Sequence, residues 1–594
     1  MYMILPLSIR CFSTCVAAIV ACGVLLPTSG SEGARSRMEG VTKAEYLDLM
    51  DAAVASYSDA HLQRYVADVE RDGVVEHGFP RLAANLGMLV SKGRLPEKRD
   101  ILKRMLTLCC KAAPKGKMKF EGNEFSVKEL AIAVSELERS GVFEKSVTDE
   151  WKADLSAVDA ERCYRVQRPV GFGKASNWLV FGCASEQARL ALGMGGDSNR
   201  VERYVTDQIR WFDSNGMYRD PNQPSVYDLV TRLQFMFILQ YGYDGQARDR
   251  LEALLDRSAE PTLMMLSAAG EIPYGGRSNQ FLHNHTLYAG VCEWYAARYY
   301  ARGDIKRAAR FRRAARHAVD ALQKWLSVRP PRHIKNYYPR VEGLKSRVEG
   351  IKFAGIGCEH YAYFDKYMIT MGSWAMLAYL FADESVPPCA ASVEESAPDS
   401  FATTPDFHRV FLLAGDYSAQ FDYASDTMYD CEGLGRFQRY GAPEAIFMSV
   451  PCARSPKYRT EFPNAESLAF VPVGNGELHF AGHGHDATGS WSDWTLGSLT
   501  WKCRLTDEGL SSNLLGEGAV AMKVPAFAYD GEKSTEISCL DNSLTIRYLG
   551  WTCEYVANGK FVDTGKISCN RNGRYRIFEV RGNKNLSVKV TIKR

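Results

Sequence analysis

Partway along this sequence the spacing of apolar residues switches from a helical repeat to strict alternation, and few folds accommodate both in one chain. From Val41 to about Asp383, apolar side chains recur at three- and four-residue steps, the period of a helix with a buried face. The segments are Ala44–Val66, Arg99–Ala113, Val127–Glu138, Asn177–Leu192, Val201–Phe212, Val226–Tyr241, Arg248–Ala269, Asn279–Ala301, Ile305–Leu326 and Phe364–Phe381. Fainter stretches lie between Phe79 and Val90 and near Trp151. Short Gly, Pro, Asn and Asp turns join them, so neighbouring helices should pack as antiparallel pairs. Ten to twelve such helices close into an α/α toroid, an incomplete barrel of helical hairpins expected over residues 36–383.

Residues 384–405 are rich in Pro, Ser, Ala and acid and carry no apolar period, which reads as a linker. Beyond it, alternating runs (Arg409–Leu413, Ala445–Val450, Ser467–Val471, Glu477–Phe480, Leu544–Tyr548, Val588–Lys593) are separated by Gly, Asn and Asp turns. Residues 406–594 are therefore expected to form an antiparallel β-sandwich. A length of 594 residues suits two domains, since one core rarely grows that large.

The first thirty residues read as an export signal: Arg10, an apolar run from Cys11 to Leu26, then small and polar residues through Gly30. Within it, Ile19-Val20-Ala21-Cys22 is similar to a bacterial lipoprotein cleavage box, which would place a lipid on Cys22; cleavage after Gly30 is the competing reading. The expected location is outside the cytoplasm: periplasmic, extracellular, or on the outer membrane through that lipid, with no other membrane contact. The net charge of +3 and the lack of a basic tail argue against a nucleic-acid partner. Of sixteen cysteines, Cys11, Cys15 and Cys22 lie in the leader, leaving an odd number. Some disulfides are expected, with at least one thiol left over.

Three junctions concentrate groups that can move protons or hold an anion. The first is Gly275-Gly276-Arg277-Ser278-Asn279-Gln280-Phe281-Leu282-His283-Asn284-His285, continuing to Tyr288, where a glycine turn leads into a polar helix start. The second is the basic and tyrosyl loop Arg329 to Arg340, with Arg332, Lys335, Tyr337, Tyr338 and Arg340. The third, from Gly355 to Tyr367, brings Glu359, His360 and Tyr361 to another helix start. Asp228 and Trp178, each early in its helix, complete the set. An ordinary capped helix or a solvated basic loop would explain each junction singly; their recurrence points to a cleft for an acidic sugar.

In the second half, Gly482-His483-Gly484-His485-Asp486 resembles the Gly-His-Gly-His-x-Asp signature in the sandwich domain of heparinase II/III-like polysaccharide lyases, with one residue missing before the Asp. The Gly276-Arg277-Ser278 turn is similar to their toroid segment, and also to that of toroidal glucuronidases. The resemblance implies β-elimination on a uronate-containing glycan. His283, or alternatively His360, would be the base and Tyr338 the acid, with Tyr288, Tyr337 and Tyr361 as its substitutes, Arg277, Asn279 and Asn284 on the carboxylate, and those tyrosines with His285 around the sugar. Arg332, Lys335 and Arg340 would hold flanking acidic sugars. No cofactor is required; zinc or calcium at the paired histidines is conceivable on chemistry alone, and no metal ligand is carried over. Two rivals remain: a glycoside hydrolase using Asp228, Glu359 or Asp365, and a non-catalytic glycan-binding protein.

Overall fold

The computed structural model describes residues 39–116, 123–165, 170–221, 224–276, 278, 281–329, 331–335, 344–346, 350–352, 363–388, 397–424, 430–448 and 467–594. The leader at 1–30 lies outside them. Helices α1 (Lys43–Ala55), α2 (Asp59–Asp72), α3 (Gly78–Ser91), α4 (Arg99–Ala112), α5 (Val127–Ser140), α6 (Lys145–Ser156), α7 (Ala160–Cys163) and α8 (Asn177–Ala191) come first. They are followed by α9 (Ser198–Gln208), α10 (Ser225–Gln240), α11 (Arg248–Arg257), α12 (Ala259–Met264), α13 (His283–Ala301), α14 (Ile305–Leu326) and α15 (Phe364–Phe381).

Six of these, α3, α5, α8, α10, α13 and α15, pack in that order, and α15 returns to α3, so the ring closes. They are buried almost all round, as a helix in the middle of a toroid must be. The amphipathic helices α4, α9 and α14 pack outside, against α3, α8 and α13. The domain is an α/α toroid.

Two expected helices are each broken in two. Ser58 ends the first turn-out after α1 and caps α2 by accepting from His61 N. Ser258 lies between α11 and α12, where Pro261 can occupy only a first helical turn. Among the described residues no helix is long and apolar enough to cross a membrane.

A charged group sits in the middle of the ring. Lys128 is buried beside the rings of Phe181, Phe237 and Trp374 and donates to Gln234 at 2.6 Å. Burial lowers its pKa to about 8, against the pull of Glu129. Between pH 8 and 10.5 the unfolded chain therefore binds more protons at Lys128 than the native one, so stability should rise with pH across that window. Lys128→Met is expected to remove this rise, read as the urea midpoint at pH 7.5 and pH 10.

After the short hairpin of β1 (Leu344–Ser346) and β2 (Gly350–Lys352), two sheets follow. The four-stranded sheet runs β3 (Asp399–Ala402), β4 (Arg409–Ala414), β5 (Tyr417–Asp422), β6 (Gly433–Arg439), all antiparallel. The ten-stranded sheet holds β7 (Val471–Pro472), β8 (Leu478–Asp486), β9 (Gly489–Leu496), β10 (Leu499–Thr506) and β11 (Gly509–Tyr529), then β12 (Glu536–Cys539), β13 (Ser543–Tyr548), β14 (Trp551–Ala557), β15 (Lys560–Asn570) and β16 (Gly573–Lys593). Its central order is β12-β13-β14-β16-β11-β10-β9-β8. The inner faces meet through Val410, Leu412 and Phe421 from one sheet and Trp494, Trp501 and Leu514 from the other, a β-sandwich core. Phe421 lies 5.3 Å from Trp494 and 5.7 Å from Trp501, ring centre to ring centre.

Three local expectations change. The proposed linker 384–405 contains β3, which takes its place by pairing with β4. Ala445–Val450 is not a strand at its start, where Glu444–Ile446 form a 3-10 turn. The described cysteines are all free thiols, buried except for Cys539, where some disulfides were expected.

The other face of the small sheet packs on the toroid segment before α13. Arg436 Nη1 donates to Ile272 O (2.7 Å), Ala268 N donates to Ser418 Oγ (2.8 Å), and Gln420 Nε2 donates to Tyr274 O (3.1 Å).

Candidate active site

The six inner helices begin at the same end of the ring. At α8 and α10, Ser176 N donates to Tyr218 Oη (2.8 Å), and Tyr218 N donates to Asp228 (2.7 Å). Pro224, at the start of α10, lies against Gly276, where a Cβ would come within 2.4 Å of it. From there ring contacts continue round the end. His283 of α13 meets Tyr367 of α15 (6.3 Å between centroids), Tyr367 meets His77 before α3 (6.2 Å), and His77 meets Phe125 before α5 (5.2 Å). Phe125 meets Trp178 of α8 (6.4 Å).

Outer helices α2, α9 and α14 are capped by Ser58, Asp197 and Asp304. The inner helices α3, α5, α10, α13 and α15 have no side-chain cap. Several helix starts with their positive dipole ends therefore lie near one another, with His77 and His333 among them; Arg81 there is already paired with Glu129 (3.0 Å), Gly78 N at the start of α3 donates to Glu76, and α8 is capped by Ser176.

The segment that carries His283 is held from two sides. Gly275 and Gly276 adopt φ of 108° and 71°, and Ser278 follows at 67°. A side chain at Gly275 would lie 1.6 Å from Arg409 Nη2, so only glycine lets the turn approach the β domain this closely. Arg409 donates to Asp430 (2.7 Å), and Asp430 accepts from Gly276 N (3.2 Å). On the other side Phe281 bridges to Ile334, and Leu282 N donates to His333 O (3.1 Å). The described parts of all three junctions therefore meet: 281–285, 331–335 and 363–367.

His283 is only 5% exposed and stacks on Phe281 at 5.4 Å. Its Nδ1 has no hydrogen-bond partner among the described residues. Burial, with His333 and Arg81 adding to it, lowers its pKa to about 3, so the imidazole is neutral at ordinary pH. Asn284 Nδ2 donates to Ser278 O (2.8 Å) and holds the strained turn against the helix start. Trp178 is 37% exposed, and Arg332 is half-buried in the loop before His333.

Four residues expected around the sugar are turned to other tasks. His285 is fully buried, and its Nε2 accepts from Lys335 Nζ at 2.9 Å. Lys335 is paired with Glu271 and buried, so it cannot hold a flanking sugar. Tyr288 donates its hydroxyl to Thr262 O (2.9 Å) inside the ring. Asp228 forms a two-point ion pair with Arg232 (2.7 Å and 2.9 Å), both side chains 0% exposed. Asp228→Asn should leave that guanidinium buried without its counter-charge and lower stability by about 3–5 kcal/mol, with kcat of the folded fraction unchanged. Urea unfolding beside a turnover assay checks both. Arg277, Asn279, Tyr337, Tyr338, Arg340, Glu359, His360 and Tyr361 lie outside the described residues.

Sequence reasoning passed over His77, Arg81, His333, Tyr367 and Arg571. His333 and Tyr367 stood inside segments already singled out, but His77 and Arg81 had no marker beyond a glycine at a helix start. In the sandwich, His483 Nδ1 lies 2.9 Å from Ser400 Oγ, His485 Nδ1 3.2 Å from Asp399, and Asp486 is held by Arg504 at 2.6 and 2.7 Å. Among the described residues no group of three or more His, Cys, Asp or Glu is placed to hold a metal ion.

No protein-family model matches the chain, and no curated protein matches it by sequence. Among solved structures, a mutant of the heparan sulfate lyase HepC from Pedobacter heparinus is similar at 7% identity, over 86% of this chain and 75% of its own, with a TM-score of 0.45. The same lyase without the mutant designation aligns at 9% identity over the same shares, with a TM-score of 0.42. A glycosyl hydrolase family 88 protein from Bacteroides vulgatus aligns at 10% identity over 57% of this chain and 100% of its own, with a TM-score of 0.34.

Proposed function

We propose that this chain is an exported carbohydrate-active enzyme that cleaves a uronic-acid-containing polysaccharide by β-elimination. The observation that carries the reading is His283: a neutral, buried imidazole whose Nδ1 has no partner among the described residues, at a helix start without a side-chain cap. Elimination needs the uronate carboxylate neutralised before the proton α to it can leave. Helix N-termini and Arg277 suit that task, while Asn284, whose amide N–H is given to Ser278 O, holds the turn. His283 Nδ1 takes the proton, the electron pair forms the new carbon–carbon double bond, and the bond to the β oxygen breaks. Tyr338 donates a proton to that oxygen as it leaves. A carboxylate arriving beside His283 favours its protonated form, so substrate itself raises the proton affinity of the base. The scheme uses no metal or cofactor.

A hydrolase would instead need two carboxyl groups about 5–9 Å apart across the scissile bond. Asp228 is closed off by Arg232, and Asp365 is buried 2.7 Å from His61. That leaves Glu359 alone among the acids considered. Export is supported by the apolar run behind Arg10, with Cys22 as the residue that would carry lipid.

Ultraviolet absorbance tests the reaction directly. The purified protein is incubated with heparan sulfate, hyaluronan, alginate and polygalacturonate. Elimination leaves a conjugated, absorbing unsaturated uronate. New reducing ends without absorbance would hand the chain to hydrolysis, and neither signal would leave a glycan outside this panel or a glycan-binding protein.

A further inference from the structure

The β15–β16 hairpin carries a charge into the toroid. These strands run 11 and 21 residues, and the turn between them, Asn570 to Gly573, is an exposed position in most hairpins. Here Asn570, Arg571 and Asn572 are 1%, 4% and 4% exposed. The turn is built to be rigid. Asn572 N donates to Asn570 Oδ1 (2.8 Å), and both asparagine amides reach toward Tyr575 Oη (3.5 and 3.4 Å). Gly573 has φ of 148°, and a Cβ there would lie 1.8 Å from Tyr529 O, so the tip accepts no other residue.

What the tip delivers is Arg571, whose guanidinium lies 5.5 Å from the centre of the Phe281 ring. The same ring stacks with His283 (5.4 Å) and His333 (5.9 Å). Arg571 therefore stands one aromatic ring away from both imidazoles. A planar guanidinium fork held in a fixed position beside a stacking face is suited to a sugar's acidic group.

We infer that Arg571 is an anion-binding residue of the substrate cleft, supplied by the β domain, that grips an acidic group of the glycan (carboxylate or sulfate ester) next to the reacting unit. This rests on the reading of the cleft as a site for acidic polysaccharide, though not on the elimination step. It also gives the sandwich a direct part in substrate recognition.

The test uses full-length protein carrying His283→Ala, so that turnover does not consume the probe. Calorimetry reads its affinity for a hyaluronan hexasaccharide, which has carboxylates only, for a heparan sulfate hexasaccharide, and for the carboxyl-reduced form of each. Adding Arg571→Gln should weaken binding of at least one acidic probe by about 10- to 100-fold, and Arg571→Lys should weaken it less. The carboxyl-reduced probes identify the group: loss confined to carboxylate-bearing sugars assigns the carboxylate, and loss that survives reduction of the heparan probe assigns sulfate. Unchanged affinity in Arg571→Gln overturns the inference, as does an equal loss for carboxyl-reduced hyaluronan, or no binding of any acidic probe before the change. If Arg571→Gln does not fold, Arg571→Lys decides: affinity and thermal midpoint both falling together would overturn it, and affinity falling alone supports it. Unsaturated product from the wild-type protein with unchanged Arg571→Gln affinity would sink this inference and leave the lyase reading intact. The reverse pattern would do the opposite.

Discussion

Replacing His283 by alanine is expected to lower kcat by about 10²- to 10⁴-fold on whichever polysaccharide yields an unsaturated product, the range for losing a positioned base. Some stability should be lost as well, because the change empties the space beside the Phe281 and Tyr367 rings and removes the hydrogen bond to the Tyr367 backbone. The pH dependence separates a base from a packing residue. In the empty site the pKa of His283 is about 3, so its protonation does not limit kcat/KM on the acid side at ordinary pH. Bound carboxylate raises it, which places the acid limb of kcat at a higher pH than that of kcat/KM. Stability follows the same shift with a definite sign. Between pH 6.5 and 3 the unfolded chain binds more protons at this position than the native one, so the wild-type protein loses stability on acidification through that window. His283→Ala should lose less. Full turnover in the alanine variant would remove His283 from the mechanism.

Lys335→Met is expected to be among the most damaging single changes to stability, at about 3–5 kcal/mol, with little effect on sugar binding. Lys335 and Glu271 are buried together where the toroid meets the small sheet, with His285 against the ammonium and the paired Lys324 and Glu444 nearby. Burial opposes charge on Glu271, and Lys335 with Lys324 outweighs it and holds the carboxyl below its usual range. Removing the lysine leaves a buried carboxylate, one of whose oxygens already has no partner among the described residues. The double variant Lys335→Met with Glu271→Gln should recover a good part of the loss, since a neutral amide tolerates burial better than a lone charge. Urea midpoints of the two single variants and the double variant check this. A loss of glycan affinity in folded Lys335→Met, without a loss of stability, would restore the lysine to the cleft.

The toroid was legible because burial on one face writes itself into the order of residues. Inner helices such as α13 and α15 are apolar nearly all round and outer ones such as α9 and α14 are striped, a difference visible in the sequence. The breaks at Ser58 and Ser258 were less legible, because a short turn interrupts a period without erasing it; Ser58 caps α2 with its side chain, and Ser258 makes no such cap. In the sandwich, short alternating runs understated β11 and β16, each 21 residues, since bulges and edge positions hide alternation over long strands. The Arg409–Asp430 hold on Gly276 could not be seen at all, because its members are 154 and 21 residues apart along the chain.

The sequence alone determined the two architectures, their order, and that three loop-to-helix junctions carry unusual chemistry, because periodicity and turn residues are local properties. Only the tertiary structure decided which of those side chains face the common space. His283 and His285 are two positions apart on one helix turn, and the geometry of the ring sends one against Tyr367 and the other to Lys335. Lys335 reads as a cleft cation until Glu271, 64 residues earlier, is found beside it, and Arg571 reads as an exposed turn until the hairpin is seen to enter the toroid. A side chain's role depends on the charges and surfaces around it, and those are set by residues far away in the chain.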